Sequence, residues 1–98
     1  MDAVDQQALT VAVIKEHGLD IGQLWLEFVG LGGDASEQLI RAYCDGEATL
    51  SAKERDALAL AVNELCTAEG LPLRAPLSSS ALLLLHTRKD SQSGGLPG

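Results

Sequence analysis

Aromatic residues are almost absent from this sequence: one Trp, one Tyr and one Phe in 98 residues. Sheet faces are usually built from aromatic and β-branched runs, which are scarce here, so an extensive β-structure is not expected. Basic residues are also few. Residues 1–70 carry thirteen Asp and Glu against four Lys and Arg, a formal charge of about −9, while 71–98 carry one against three. So acidic a surface repels phosphate backbones and disfavours nucleic acid as a partner. No apolar run approaches the roughly 18 residues of a membrane span. The start lacks the charged, apolar and small-residue order of a signal peptide, so a cytoplasmic chain is expected. Cysteines number two, Cys44 and Cys66, with no Cys-x-x-Cys and no His pair near them. They offer no metal template and read as buried free thiols.

What is present is Leu, Val, Ile and Ala within a 46% hydrophobic fraction, a composition suited to helices packed closely together. A chain of this size holds one compact core at most. The first helical segment has Asp2 placed to cap it, Asp5 in its first turn and Gly18 just past its end. Val4, Ala8, Val11 and Ala12 form its inward stripe, widened by Leu9, Val13 and Ile14. A second helix opens at "LDIGQL", with Asp20 as cap, Gln23 at the reciprocal position and Leu19 able to staple onto Leu24. Ile21, Leu24, Trp25, Phe28 and Leu31 then recur at helical spacing. Asp34 and Glu37 repeat the cap pattern for a third helix, which turns Leu39, Ile40, Tyr43 and Cys44 inward and ends at Gly46. "SAKE", Ser51 to Glu54, opens a fourth that buries Ala57, Leu58, Ala61, Val62, Leu65 and Cys66 and ends at Gly70.

The corner "LGGDASE" could be taken for a phosphate cradle. Such a cradle needs a Gly-rich loop leading out of a strand, usually with a Lys. Neither is present, and Gly32-Gly33 reads as a helix stop before the next start. "DGEATLSAKE" fails as a calcium loop: with Gly46 as the turn, Arg41, Tyr43 and Ala52 fall where ligands are required. His17 and His86 have no Cys, Ser or acid at a recognisable motif spacing. The sequence therefore carries no candidate catalytic, cofactor-binding or metal-binding residue.

Beyond Gly70 the composition shifts to Pro, Ser and Gly, in "LPLRAPLSSS" and "DSQSGGLPG". Between these lies a Leu-rich segment, 81–89, containing Leu82, Leu83, Leu84 and Leu85. Four successive leucines are apolar on every side, so they either pack on a core, their own or a second copy's, or serve as a partner-binding peptide.

"TLSAKERDALALAVN", Thr49 to Asn63, resembles the opening helix of LuxR-type and sigma-factor helix-turn-helix domains through Leu50, Glu54, Arg55 and Leu58. The resemblance implies a DNA-binding regulator, but the second helix, turn and base-reading helix have no counterpart after Gly70. "LWLEFVGLGGDASEQLIRAYCDG" is similar in texture to segments of small actinobacterial regulatory or accessory proteins, which implies regulation in a bacterial cytoplasm and carries no catalytic residue.

The sequence predicts an all-α protein, a compact bundle or orthogonal array of four helices over residues 1–70. The tail, 71–98, is able to add a short fifth helix. The expected function is a small acidic protein–protein interaction module, a regulator, adaptor or assembly component, bound to another protein, basic in character, or to a second copy. The alternatives are a helix-turn-helix-like DNA-binding regulator and an acidic mimic or antitoxin-like neutraliser of a basic protein. Leu82 to Leu85 are the expected partner-binding residues, joined by Trp25 and Phe28 where these stay exposed.

Overall fold

The computed structural model describes residues 2–72 and 74–78. Its architecture is all-α, a small bundle of four helices: α1 (Ala3–His17), α2 (Ile21–Gly30), α3 (Glu37–Cys44) and α4 (Ala52–Ala68). Helix α4 packs most extensively on α2 and also on α1, and α3 closes the bundle against both α1 and α2. Leu58, Ala59, Ala61, Val62 and Cys66 of α4 are completely buried. The short alanine side chains let neighbouring helices approach α4 closely. Leu24 and Phe28 of α2, Ile40 and Tyr43 of α3 and Val13 and Ile14 of α1 complete the core. Full burial of each large member contributes roughly 1.5–3 kcal/mol.

The helix starts are set by side chains that accept the first free amides. Asp20 Oδ2 accepts from Gln23 N at 2.9 Å, and Ser51 Oγ accepts from Glu54 N at 3.2 Å, as the local sequence predicts. The start of α3 differs from the expectation. Its cap is Ser36, whose hydroxyl accepts from Leu39 N at 3.1 Å, so the helix begins two residues later than a cap at Asp34 would place it. Asp2 precedes α1 without bonding through its side chain. Gly18 ends α1 in the left-handed region, at φ 61°, which only glycine enters without steric cost.

Helix α1 lies with its predicted inward stripe facing out. Val4 is 68% exposed and Leu9 48%, and Ala8 and Ala12 are exposed too. Gln6 and Thr10 are buried instead, beside Val13 and Ile14. The cause is a set of long-range hydrogen bonds. Gln6 Nε2 donates to Asp56 Oδ1 at 2.9 Å and to the Pro76 carbonyl at 3.2 Å, while its Oε1 accepts from Arg55 Nε at 2.9 Å. A primary amide buried with all these partners satisfied is stable inside a fold. On α3, Leu39 is likewise exposed, whereas Ile40 and Tyr43 point inward as expected.

The chain after Gly70 turns back along α4. The side-chain amide of Asn63 pairs with both backbone groups of Ala75, donating to its carbonyl at 3.1 Å and accepting from its N–H at 2.7 Å. Further on, Asp56 accepts from Ser78 N at 2.8 Å and from Ser78 Oγ at 2.6 Å. Ala75 is buried by this docking. Residues 74–78 thus form a non-helical strap running antiparallel to α4 and ending near its first turn.

Candidate functional site

Helix α2 contains more apolar residues than one inward face can hold. Leu24 and Phe28 take the core positions with no exposed surface. On the other side, Leu26 is 60% exposed, Val29 is also exposed, and Leu31 continues the apolar surface at the helix end. Trp25 stands at the boundary, half-buried and packed against the core. Its indole N–H donates to the Ala35 carbonyl at 3.0 Å, which fixes the ring over the α2–α3 corner. Trp25 and Val29 are one helical turn apart and adjoin on the surface. A helix that is apolar nearly all round is usually enclosed on all sides; this one is enclosed on one.

Of the residues the sequence nominates for partner binding, Trp25 borders this face. Phe28 does not: it is completely buried, so its role is corrected from surface anchor to core. The ring of Phe28 lies where a Cβ on Gly33 would stand. That contact, together with the φ of 94° at Gly32, explains the Gly-Gly pair. Leu82, Leu83, Leu84 and Leu85 lie outside the described residues.

The amides of residues 31 to 34 at the corner are engaged. Leu31 N donates to Glu27 and Phe28 carbonyls, Gly32 N to Val29 O and Gly33 N to Phe28 O. Asp34 N donates to both carboxylate oxygens of Glu54, each at 3.1 Å. Glu54 therefore sits on the α3 approach instead of returning to its own helix start. A carboxylate of the protein occupies the position that an incoming anion would need.

A second apolar surface lies between α1 and α3. Two adjoining hollows of about 370 and 300 Å³ share Val11, Cys44 and Asp45. Val4 and Ala8 form one wall and Tyr43 lies at the base. The two helices are fastened by Gln7, whose Nε2 donates to the Tyr43 carbonyl at 2.7 Å and to the Ala48 carbonyl at 3.1 Å. Burial, with Asp45 alongside, pushes the Cys44 thiol up to about 11. It is protonated at neutral pH and is a weak nucleophile. Burial also raises the Tyr43 phenol. His17 Nε2 is buried without a hydrogen-bond partner.

Among the described residues no cluster of three His, Cys, Asp or Glu could hold a metal ion, and no helix is long and apolar enough to cross a membrane. No protein-family model matches the chain, and neither do any curated protein and any solved structure. Among the described residues the fold and its surfaces define the class: a four-helix all-α bundle with two exposed apolar faces. The sequence reading missed Leu26 and Val29, although their spacing puts them opposite Leu24 and Phe28. It also missed the exposure of Val4 and Leu9, for which the local pattern holds no signal.

Proposed function

We propose that the protein is a small acidic protein–protein interaction module, a regulator, adaptor or assembly component without catalysis, that binds its partner through the outer face of α2. The carrying observation is the pairing of a fixed, half-buried Trp25 with the exposed Leu26 and Val29 beside it. Aromatic anchors flanked by aliphatic surface contribute much of the energy at interfaces. Fixing the indole beforehand lowers the entropy lost on binding. Glu27 is on the same helix and Glu37 opens the next. Within a bundle of about −9 formal charge, read over residues 1–70, this favours a partner with an apolar pocket and a basic rim.

The test is a photo-crosslinking amino acid placed at Leu26 or Val29 of the full chain, with the same group at Glu64 of α4 as control, in extract from the producing organism. The expected result is one discrete adduct from the α2 positions, absent at Glu64 and lost when Trp25→Ala is added to a chain that keeps its helix content. An adduct of twice the chain mass identifies a second copy as the partner. Equal labelling from Glu64 and from α2 refutes the assignment of this face.

A further inference from the structure

We propose that the groove between α1 and α3 is the seat of the chain's own Leu82–Leu85, docked intramolecularly as a shield over the exposed side of α1. The inference concerns a different face from the α2 surface and stands without it.

Three observations carry it. The first is the groove itself, whose Val4, Ala8 and Val11 wall and Cys44 floor are apolar and unpartnered among the described residues. Side chains this exposed on a helix of an otherwise closed core lose solvent contact favourably when an apolar segment covers them.

The second is the tether. Ser78 is held to Asp56 at 2.8 and 2.6 Å, and the same carboxylate receives Gln6 of α1 at 2.9 Å. The chain therefore leaves the described bundle beside the first turns of α1, two residues from Val4. Leu82 follows Ser78 by four positions, a reach of roughly 14 Å in extended form, and Leu85 by seven, roughly 24 Å. Half the circumference of a helix about 10 Å across is about 16 Å, so Leu83 to Leu85, with reaches of roughly 17 to 24 Å, attain the far side of α1. So short a tether gives the leucines an effective concentration on the order of millimolar at the groove.

The third is charge. Residues 71–98 carry Arg74, Arg88 and Lys89 against Asp90, while residues 1–70 carry thirteen acids against four bases. Lining the groove, Asp45 is joined by Lys15 and Arg41 in the adjoining hollow, so the attraction rests on the net negative charge of residues 1–70 as a whole, which draws the bases that follow the leucines towards the bundle.

Cys44, at the floor of the groove, is a native reporter. In the full chain it should react with N-ethylmaleimide about tenfold more slowly than in the variant Leu82→Ser, Leu83→Ser, Leu84→Ser, Leu85→Ser, which corresponds to a docked state populated roughly ten to one. The circular dichroism of the two chains should match. A second variant, Leu84→Cys, should form a disulfide with Cys44 within one chain under mild oxidation, whereas Ser91→Cys should do so far less. Equal alkylation rates overturn the proposal. So does a Leu84→Cys disulfide found only between two chains, which would give the groove to a second copy. Should the serine variant lose its helices, the intramolecular disulfide decides the matter alone.

Discussion

Helices α1 and α2 both leave apolar side chains bare, for opposite reasons. Helix α2 has its most apolar side inward and a surplus outward: Leu24 and Phe28 vanish into the core while Leu26 remains exposed. Helix α1 buries Gln6 and Thr10 beside Val13 and Ile14 and leaves Val4 and Leu9 exposed. The count of apolar residues does not by itself orient a helix. A single amide with partners on two other segments, here Arg55, Asp56 and Pro76, competes with several methyl groups. An unmade buried hydrogen bond costs about 1–3 kcal/mol, similar to the gain from burying a valine.

The largest effect is expected from Gln6→Leu. Removing the amide strands Arg55 Nε and one contact of Asp56, and a loss of about 3 kcal/mol is expected from urea unfolding. A variant as stable as the parent would show that hydrophobic burial alone orients α1. The counterpart on α2 is Gly33→Ala, whose methyl group would overlap the Phe28 ring. Overpacking of that kind should cost about 2 kcal/mol. Near-wild-type stability there would mean that the corner repacks freely.

A smaller effect of the opposite sign is expected at Thr10, whose hydroxyl is buried without a partner. Thr10→Val keeps the shape and removes the unpaired group, so the thermal midpoint should rise, by the equivalent of about 1 kcal/mol. A fall would show that the hydroxyl is satisfied in solution. The smallest change is Leu26→Glu on the outer side of α2. Stability should stay within about 0.5 kcal/mol of the parent while the photo-crosslink from Val29 disappears. An unfolded Leu26→Glu chain would place that residue in the core.

Elements governed by neighbours in sequence were legible before the structure. Asp20 and Ser51 cap the helices they precede, and Gly18, Gly46 and Gly70 adopt positive φ past the ends of α1, α3 and α4. What depended on distant partners was not. The Glu54 carboxylate takes the Asp34 amide and Ser36 caps α3, though the spacing of Asp34 and Glu37 suggests another start. Helix α1 faces as it does because of residues 49 to 70 positions away. On the candidate surface, helical spacing found Trp25 but could not separate it from Phe28. The separation comes from Gly33, whose bare Cα makes room for one ring only.

The strap adds a mechanical property to the bundle. Asn63 holds Ala75 by its peptide groups and Asp56 holds Ser78 nearer the start of α4, so the two attachments are arranged in series. A force applied to the chain beyond Ser78 is borne first by Asp56, then by Gln6 at the Pro76 carbonyl, and only then by Asn63. Loading from this direction peels the strap one clasp at a time, and once Asp56 has released Ser78 the Pro76 carbonyl is drawn from Gln6, so tension enters α1 before it reaches Asn63.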